Sequence, residues 1–346
     1  MKKSRKTQDT GFVKTNNNDY MNLVLKPLAD PVVEAMFANE DVAGLAAQSL
    51  VNAVMEIDGD PPITKIIRLS TQKTVSNIFH RGYRLDIEAL SENEISDIEI
   101  QITPMNMVNR GFLQAGQLAA INAKRGDTMK EVLKKMPRIL MINLNWFEDR
   151  PIHPDFTQPV DLMYRKPDPK TGVYERASEK VHIYNIEMTK FMDSIMPVLK
   201  DKPYDLKRPK LHYWLWALCE SQATGISLTG VIQMNEALKE FIAHDNGFEQ
   251  YVERYEEVSG DLQVRIQFAA WTAEMDKLEM MESIGRTKGI AEGKAEEKLD
   301  IAKRMLSNGI SPEMVVDYVE LPIDQINEIM NQFFIEQKPQ ENTANS

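Results

Sequence analysis

Cysteine is nearly missing from this chain of 346 residues: Cys219 stands alone, which excludes an internal disulfide and suits a reducing, cytoplasmic setting. No apolar run reaches the ~18 residues that a membrane span needs, so no membrane association is expected. The first ten residues, MKKSRKTQDT, are basic but have no apolar stretch behind them, which argues against a secretory signal. Positive charge is also in deficit, with 41 basic against 52 acidic residues and a net charge of -11. That balance excludes a protein that coats nucleic acid by bulk attraction, though not an enzyme with a local basic patch. The five histidines, at 80, 153, 182, 212 and 244, have no zinc-site spacing with each other or with Cys219. "GIAEGKA" lacks both the spacing and the Ser or Thr of a phosphate loop, and neither a serine elbow nor a Cys-His signature is present.

What is present is a dense set of carboxylates in "RLDIEALSENEISDIEIQIT", residues 84–103. Leu85, Ile87 and Ala89 alternate with Arg84, Asp86 and Glu88; Ile98, Ile100 and Ile102 alternate with Asp97, Glu99 and Gln101. Period-two alternation predicts two half-buried strands, and Ser91 to Glu94 suits the hairpin loop between them. The acidic face is then either solvated or gathered around something positive. In the second case Asp86 and Glu99 come together from facing strands, with the backbone carbonyl of Ile100 beside them. That is a hard-metal donor set of the kind that holds Mg²⁺ together with waters and phosphate oxygens. The sign of the charge reverses straight after the hairpin. From Ile102 to Phe147 the basic residues are Arg110, Lys124, Arg125, Lys130, Lys134, Lys135 and Arg138, opposed by Asp127 and Glu131.

Around the hairpin, helical spacing from Asp30 to Met55 predicts a helix, and "ITKIIRLS" (63–70) a strand. Thr103-Pro104 opens a helix with an apolar stripe of Val108, Phe112, Ala115 and Ala119, closed by Gly126. Arg110, Gln114 and Gln117 fall on another side of it, as either a solvated face or a phosphate-contacting one. "RILMINLNWF" (138–147) has the continuous apolar character of a covered central strand. "VHIYNIEMTKF" adds an edge strand, "LHYWLWALCESQ" a buried helix, and the chain from about Gly247 is expected to be almost wholly helical. Ser311 and Pro312 mark a helix start, and a further short helix begins near Pro322.

The order helix, three strands, helix, strand, with Asp86 followed by Glu99-x-Gln101, resembles the PD-(D/E)XK nuclease superfamily. Within it the chain is similar to the Rpn group of recombination-promoting nucleases and putative transposases. The likeness rests on "RLDIEA", "DIEIQ", "NRGFLQAGQLAA", "KRGDTMKEVLKKMPRILMINL" and "GKAEEKLDIAKRMLSNGISPEMVVDYVELPIDQINEI", and runs from about Leu25 to Met330. It implies an α/β fold with an α-β-β-β-α-β core, a mixed sheet flanked by helices, and a helical C-terminal extension. Asp86 and Glu99 match the metal-binding carboxylates. Gln101 stands where much of the superfamily has lysine, and glutamine is usual in the closer group. Where that group carries Phe-Lys in its first helix, this chain has Val33-Glu34, so Glu34 is either a third acidic contributor or a surface residue. Arg110 and Gln114 are accessory candidates.

The implied activity is Mg²⁺-dependent DNA cleavage by a metal-activated water, promoting recombination. The expected organisation is a flexible basic arm (1–20), a nuclease core (21–200), a helical extension packed on it (201–280), a helical tail (281–334) and a disordered end (335–346). DNA is the expected partner, and the C-terminal helices could join copies of the chain. The competing expectations are a nuclease-fold protein that cleaves weakly or not at all and acts as a DNA-binding or protein-interaction module, and an accessory of the toxin–antitoxin kind whose tail drives assembly.

Overall fold

The computed structural model describes residues 20–336, apart from 39, 76–82, 93, 103, 122–127 and 175. At 40–42, 70–75, 83–86, 121, 129, 133, 291 and 332–336 it describes the backbone alone. The expected arm up to residue 19, the end of the chain from 337 and the helix stop at Gly126 lie outside the described residues.

The chain is α/β, built on a mixed six-stranded sheet in the order β1-β2-β3-β4-β6-β5. The strands are β1 (Arg68–Val75), β2 (Tyr83–Leu90), β3 (Glu94–Gln101), β4 (Arg138–Asn145), β5 (Thr157–Asp161) and β6 (Val181–Glu187). β2 and β3 form the expected antiparallel hairpin, with Ile87 opposite Ile98 and Glu88 opposite Asp97. The Ser91 N–H closes it, donating to the Glu94 carbonyl at 2.9 Å. β3, β4 and β6 then run parallel, and β4 is buried from Ile139 to Asn145, as its apolar run predicts.

Three expectations need correction. The segment from Ile63 is not yet strand: Asn52 takes both the Ile63 N–H (2.7 Å) and its carbonyl (3.0 Å), tying it to a helix instead. The helix expected over 30–55 is two, α1 (Asp30–Phe37) and α2 (Glu40–Ile57). β6 is interior, and the edge belongs to β5, where Pro159 has no N–H to offer a further strand.

The connection from β3 to β4 carries α3 (Met107–Ile121) and α4 (Met129–Lys135), the crossover that a parallel pair requires. Thr128 and Glu131 form a capping box at the start of α4. After β6 come α5 (Met188–Ser194), α6 (Met196–Lys200), α7 (Lys210–Thr224), α8 (Leu228–Met234), α9 (Glu236–His244), α10 (Asn246–Gly260), α11 (Leu262–Ser307), α12 (Pro312–Val319) and α13 (Ile323–Glu336).

Directly opposite residues share a sheet face, so the register sorts the two faces. Ile98, Ile142, Tyr184, Leu144 and Ile186 enter the main core with α1, α2 and α7, around fully buried Trp214 and Phe191. On the other face, Ile95, Ile139, Met141 and Ile183 pack under Ala115 and Leu118 of α3. The described chain divides into two compact units, one up to Trp271 and one from Thr272. The second has its own small core of Ala302, Val315, Val319, Ile326 and Ile329. Ser311 caps α12 as expected, and Glu320 takes the left-handed conformation at its end (φ 54°). No described helix is long and apolar enough to cross a membrane.

Candidate active site at the ends of the parallel strands

The face under α3 changes character along the strands. Its early rows are mainly apolar, with the buried carboxylate of Asp97 beside Met141. Its last two are polar and are set by register: Glu99, Asn143 and Asn185 in one, Gln101, Asn145 and Glu187 in the next. β5 extends the first of these with Gln158, opposite Asn185. Each of the three parallel strands therefore ends in a polar-x-polar triplet whose middle residue (Ile100, Leu144 or Ile186) serves the main core. The carboxyl ends of parallel strands are where α/β sheets bind ligands.

Glu99 is the centre of this region. Its side chain is 0% exposed, so the acidic face of β3 is not solvated. Arg110 forms an ion pair with Glu99 Oε2, and Gln114 Nε2 donates to Oε1 at 2.8 Å. The other guanidinium nitrogen of Arg110 donates to Gln101 Oε1 at 2.8 Å. One cation thus spans the two ends of the E-x-Q motif, from a position that is itself 25% exposed.

α3 corrects the predicted stripe. Its buried positions are Met107, Gly111, Gln114, Ala115, Gln117 and Leu118, while Phe112 is exposed. The flank with Arg110, Gln114 and Gln117 is turned to the sheet. Gly111 permits the close approach: a Cβ there would lie 3.2 Å from Ile183 Cγ2 and 3.7 Å from Asn143 Nδ2.

Sequence reasoning missed Asn143, Asn145, Asn185, Glu187 and Lys190. Asn143 donates to Asn185 Oδ1 at 2.7 Å. Asn145 is fully buried, and neither of its amide atoms has a hydrogen-bond partner among the described residues. Such orphans cost about 1–3 kcal/mol each in an interior, an expense that folds accept mainly at functional places. Glu187 accepts the N–H groups of Asp149 (2.9 Å) and Arg150 (2.8 Å). It also pairs with Lys190 at 2.5 Å, which fixes the loop after β4. Burial and the Glu187 charge raise the Asp149 pKa. The signal was available: Asn143 and Asn145 interrupt an apolar strand at period two, in step with Glu99 and Gln101.

Asp86 lies in β2, and its side chain is outside the described residues. Glu34 is exposed on α1, which packs into the main core, on the sheet face opposite α3. Cys219 is buried, which raises its thiol pKa and leaves it inert as a nucleophile. Among the described residues no group of three or more His, Cys, Asp or Glu could hold a metal. The described carboxylates on this face, Asp97, Glu99 and Glu187, have the hard oxygen chemistry that Mg²⁺ takes. No family model, no curated protein and no solved structure matches this chain.

Proposed function

We propose that the chain is a Mg²⁺-dependent DNA endonuclease of the PD-(D/E)XK kind, similar to the Rpn group, acting in the cytoplasm to make breaks that promote recombination. The observation that carries the reading is Glu99: a fully buried carboxylate at the end of a parallel strand, paired with a cation that also holds Gln101. Continuing the β2–β3 register one step beyond Ile87–Ile98 would set Asp86 opposite Glu99. Asp86, Glu99 and the Ile100 carbonyl would hold Mg²⁺. When bound, the ion supplies a water of lowered pKa and stabilises charge on a phosphoryl oxygen.

The chain's own residues do the rest. Gln101 orients the attacking water but brings no positive charge. Arg110, partly open to solvent, can exchange Glu99 for a phosphate oxygen and bring that charge itself. Gln114 keeps the Glu99 carboxylate in position as Arg110 leaves.

A second reading has its own support. Both Glu99 oxygens are engaged by protein donors, which favours a nuclease-fold module that binds DNA or partners with a permanent Arg110–Glu99 pair. Supercoiled plasmid separates the two. The first reading expects nicked or linear product with Mg²⁺, none with chelator, and none from soluble Asp86→Ala or Glu99→Ala. Gln101→Ala should cut detectably but below wild type. Intact plasmid at every metal concentration, with DNA binding retained, would leave the second reading standing.

A further inference from the structure

The last polar row of the sheet is Gln101, Asn145 and Glu187, neighbours in the parallel register of β3, β4 and β6. Asn145 is 0% exposed, and neither its Nδ2 nor its Oδ1 has a hydrogen-bond partner among the described residues. A buried donor in that state has given up water and gained nothing in return. Glu187 does not relieve it. One Glu187 oxygen takes the N–H groups of Asp149 and Arg150, and the other pairs with Lys190 at 2.5 Å. Asn143, two residues back along β4, is tied to Asn185 at 2.7 Å. On the other side stands Gln101, one strand spacing or about 4.8 Å away and on the same face. Its Oε1 accepts from Arg110 at 2.8 Å.

We infer that Asn145 is a positioning residue, whose Nδ2 donates to Gln101 Oε1 once Arg110 has turned to a phosphate oxygen. The inference rests on the nuclease reading above, in which Arg110 exchanges Glu99 for phosphate. That movement takes the same guanidinium away from Gln101, because one arginine holds both side chains. Glu99 keeps Gln114, at 2.8 Å. Asn145 gives Gln101 the corresponding support from the neighbouring strand. An amide held at its oxygen has its nitrogen fixed in direction, and Gln101 Nε2 is then the group that orients the attacking water. The resting fold carries the unmet amide, and the substrate complex satisfies it. A local conflict of this kind is expected at a functional site.

Two measurements on the full chain test it, the first without metal or DNA. Thermal melting in chelator compares Asn145→Ala with Asn143→Ala, the same truncation at two buried positions of β4. Asn143→Ala also breaks the bond to Asn185, so Asn145→Ala should melt at the higher temperature. The second measurement is single-turnover cleavage of plasmid with Mg²⁺. Its rate should fall about tenfold or more in Asn145→Ala, with DNA affinity in chelator unchanged. Because Asn145 acts through Gln101, the pair Gln101→Ala and Asn145→Ala should cut no more slowly than Gln101→Ala alone. Asn145→Ala melting at or below Asn143→Ala, a loss of DNA affinity, or an effect that adds to that of Gln101→Ala would each overturn the inference. An active wild type with an equally active Asn145→Ala overturns this inference alone. A wild type that leaves plasmid intact overturns the nuclease reading and the inference with it.

Discussion

Glu99 and His212 are both ionisable and both held in the interior, and the fold treats them in opposite ways. Glu99 is surrounded by donors, and removing one partner of such a buried pair typically costs 3–5 kcal/mol. His212, beside the rings of Phe156 and Phe191, is kept neutral, its pKa pushed down to about 4 by burial and by the Arg208 charge. Between that value and the ordinary 6.5, the unfolded chain binds a proton that the folded one refuses. The contribution is therefore whole above pH 6.5 and is lost as pH falls towards 4. After discounting for partial exposure it is roughly 2 kcal/mol. Urea unfolding across this range should show a shallower acid decline for His212→Gln than for wild type; parallel declines would place the proton elsewhere. At this scale the sequence was partly legible. Asp97, Glu99 and Gln101 sit on one strand face as their alternation predicts. Their burial was not visible, because it depends on which flank of α3 is presented to the sheet. The stripe of Val108 and Phe112 pointed to the wrong flank, since Gly111 and Gln114, neither strongly apolar, line the closest approach.

Elements that alternation or continuous apolarity defines, the β2–β3 hairpin and β4, stand where the sequence predicts them. Those set by a distant partner do not. β1 starts at Arg68 because Asn52 captures Ile63, and β6 is interior because β5, within a proline-rich stretch, pairs beyond it. The packing of α10 on α2 is of the same long-range kind. A Cβ on Gly247 would lie 2.4 Å from Ser49 Cβ and 2.5 Å from the Leu45 carbonyl oxygen, so one helix would have to move. Gly247→Ala should cost about 1–3 kcal/mol, the usual range for overpacking. A change under half a kilocalorie in urea unfolding would mean that the helices part easily.

For the whole molecule, the division at Trp271/Thr272 has a direct consequence. The main core draws its members from residues up to Phe268 and Trp271, and the second unit has its own cluster. A chain ending at 271 should therefore fold with a cooperative melt within a few degrees of the full chain. A flat circular dichroism melt would show that the tail completes the core. At the proposed site Mg²⁺ would join Asp86 and Glu99 beside Arg110, whereas Arg138, at the other end of β4, is held by Asp60 and Glu94. Thermal melting, with chelator and with millimolar Mg²⁺, of wild type and Asp86→Asn tests that claim without any substrate. Two carboxylates facing each other without metal repel, so in chelator the variant should melt at or above wild type. Ligand binding stabilises the native state by mass action, so Mg²⁺ should raise the wild-type melting temperature more than that of the variant. Equal Mg²⁺ shifts in the two proteins would contradict a metal site at Asp86 and Glu99.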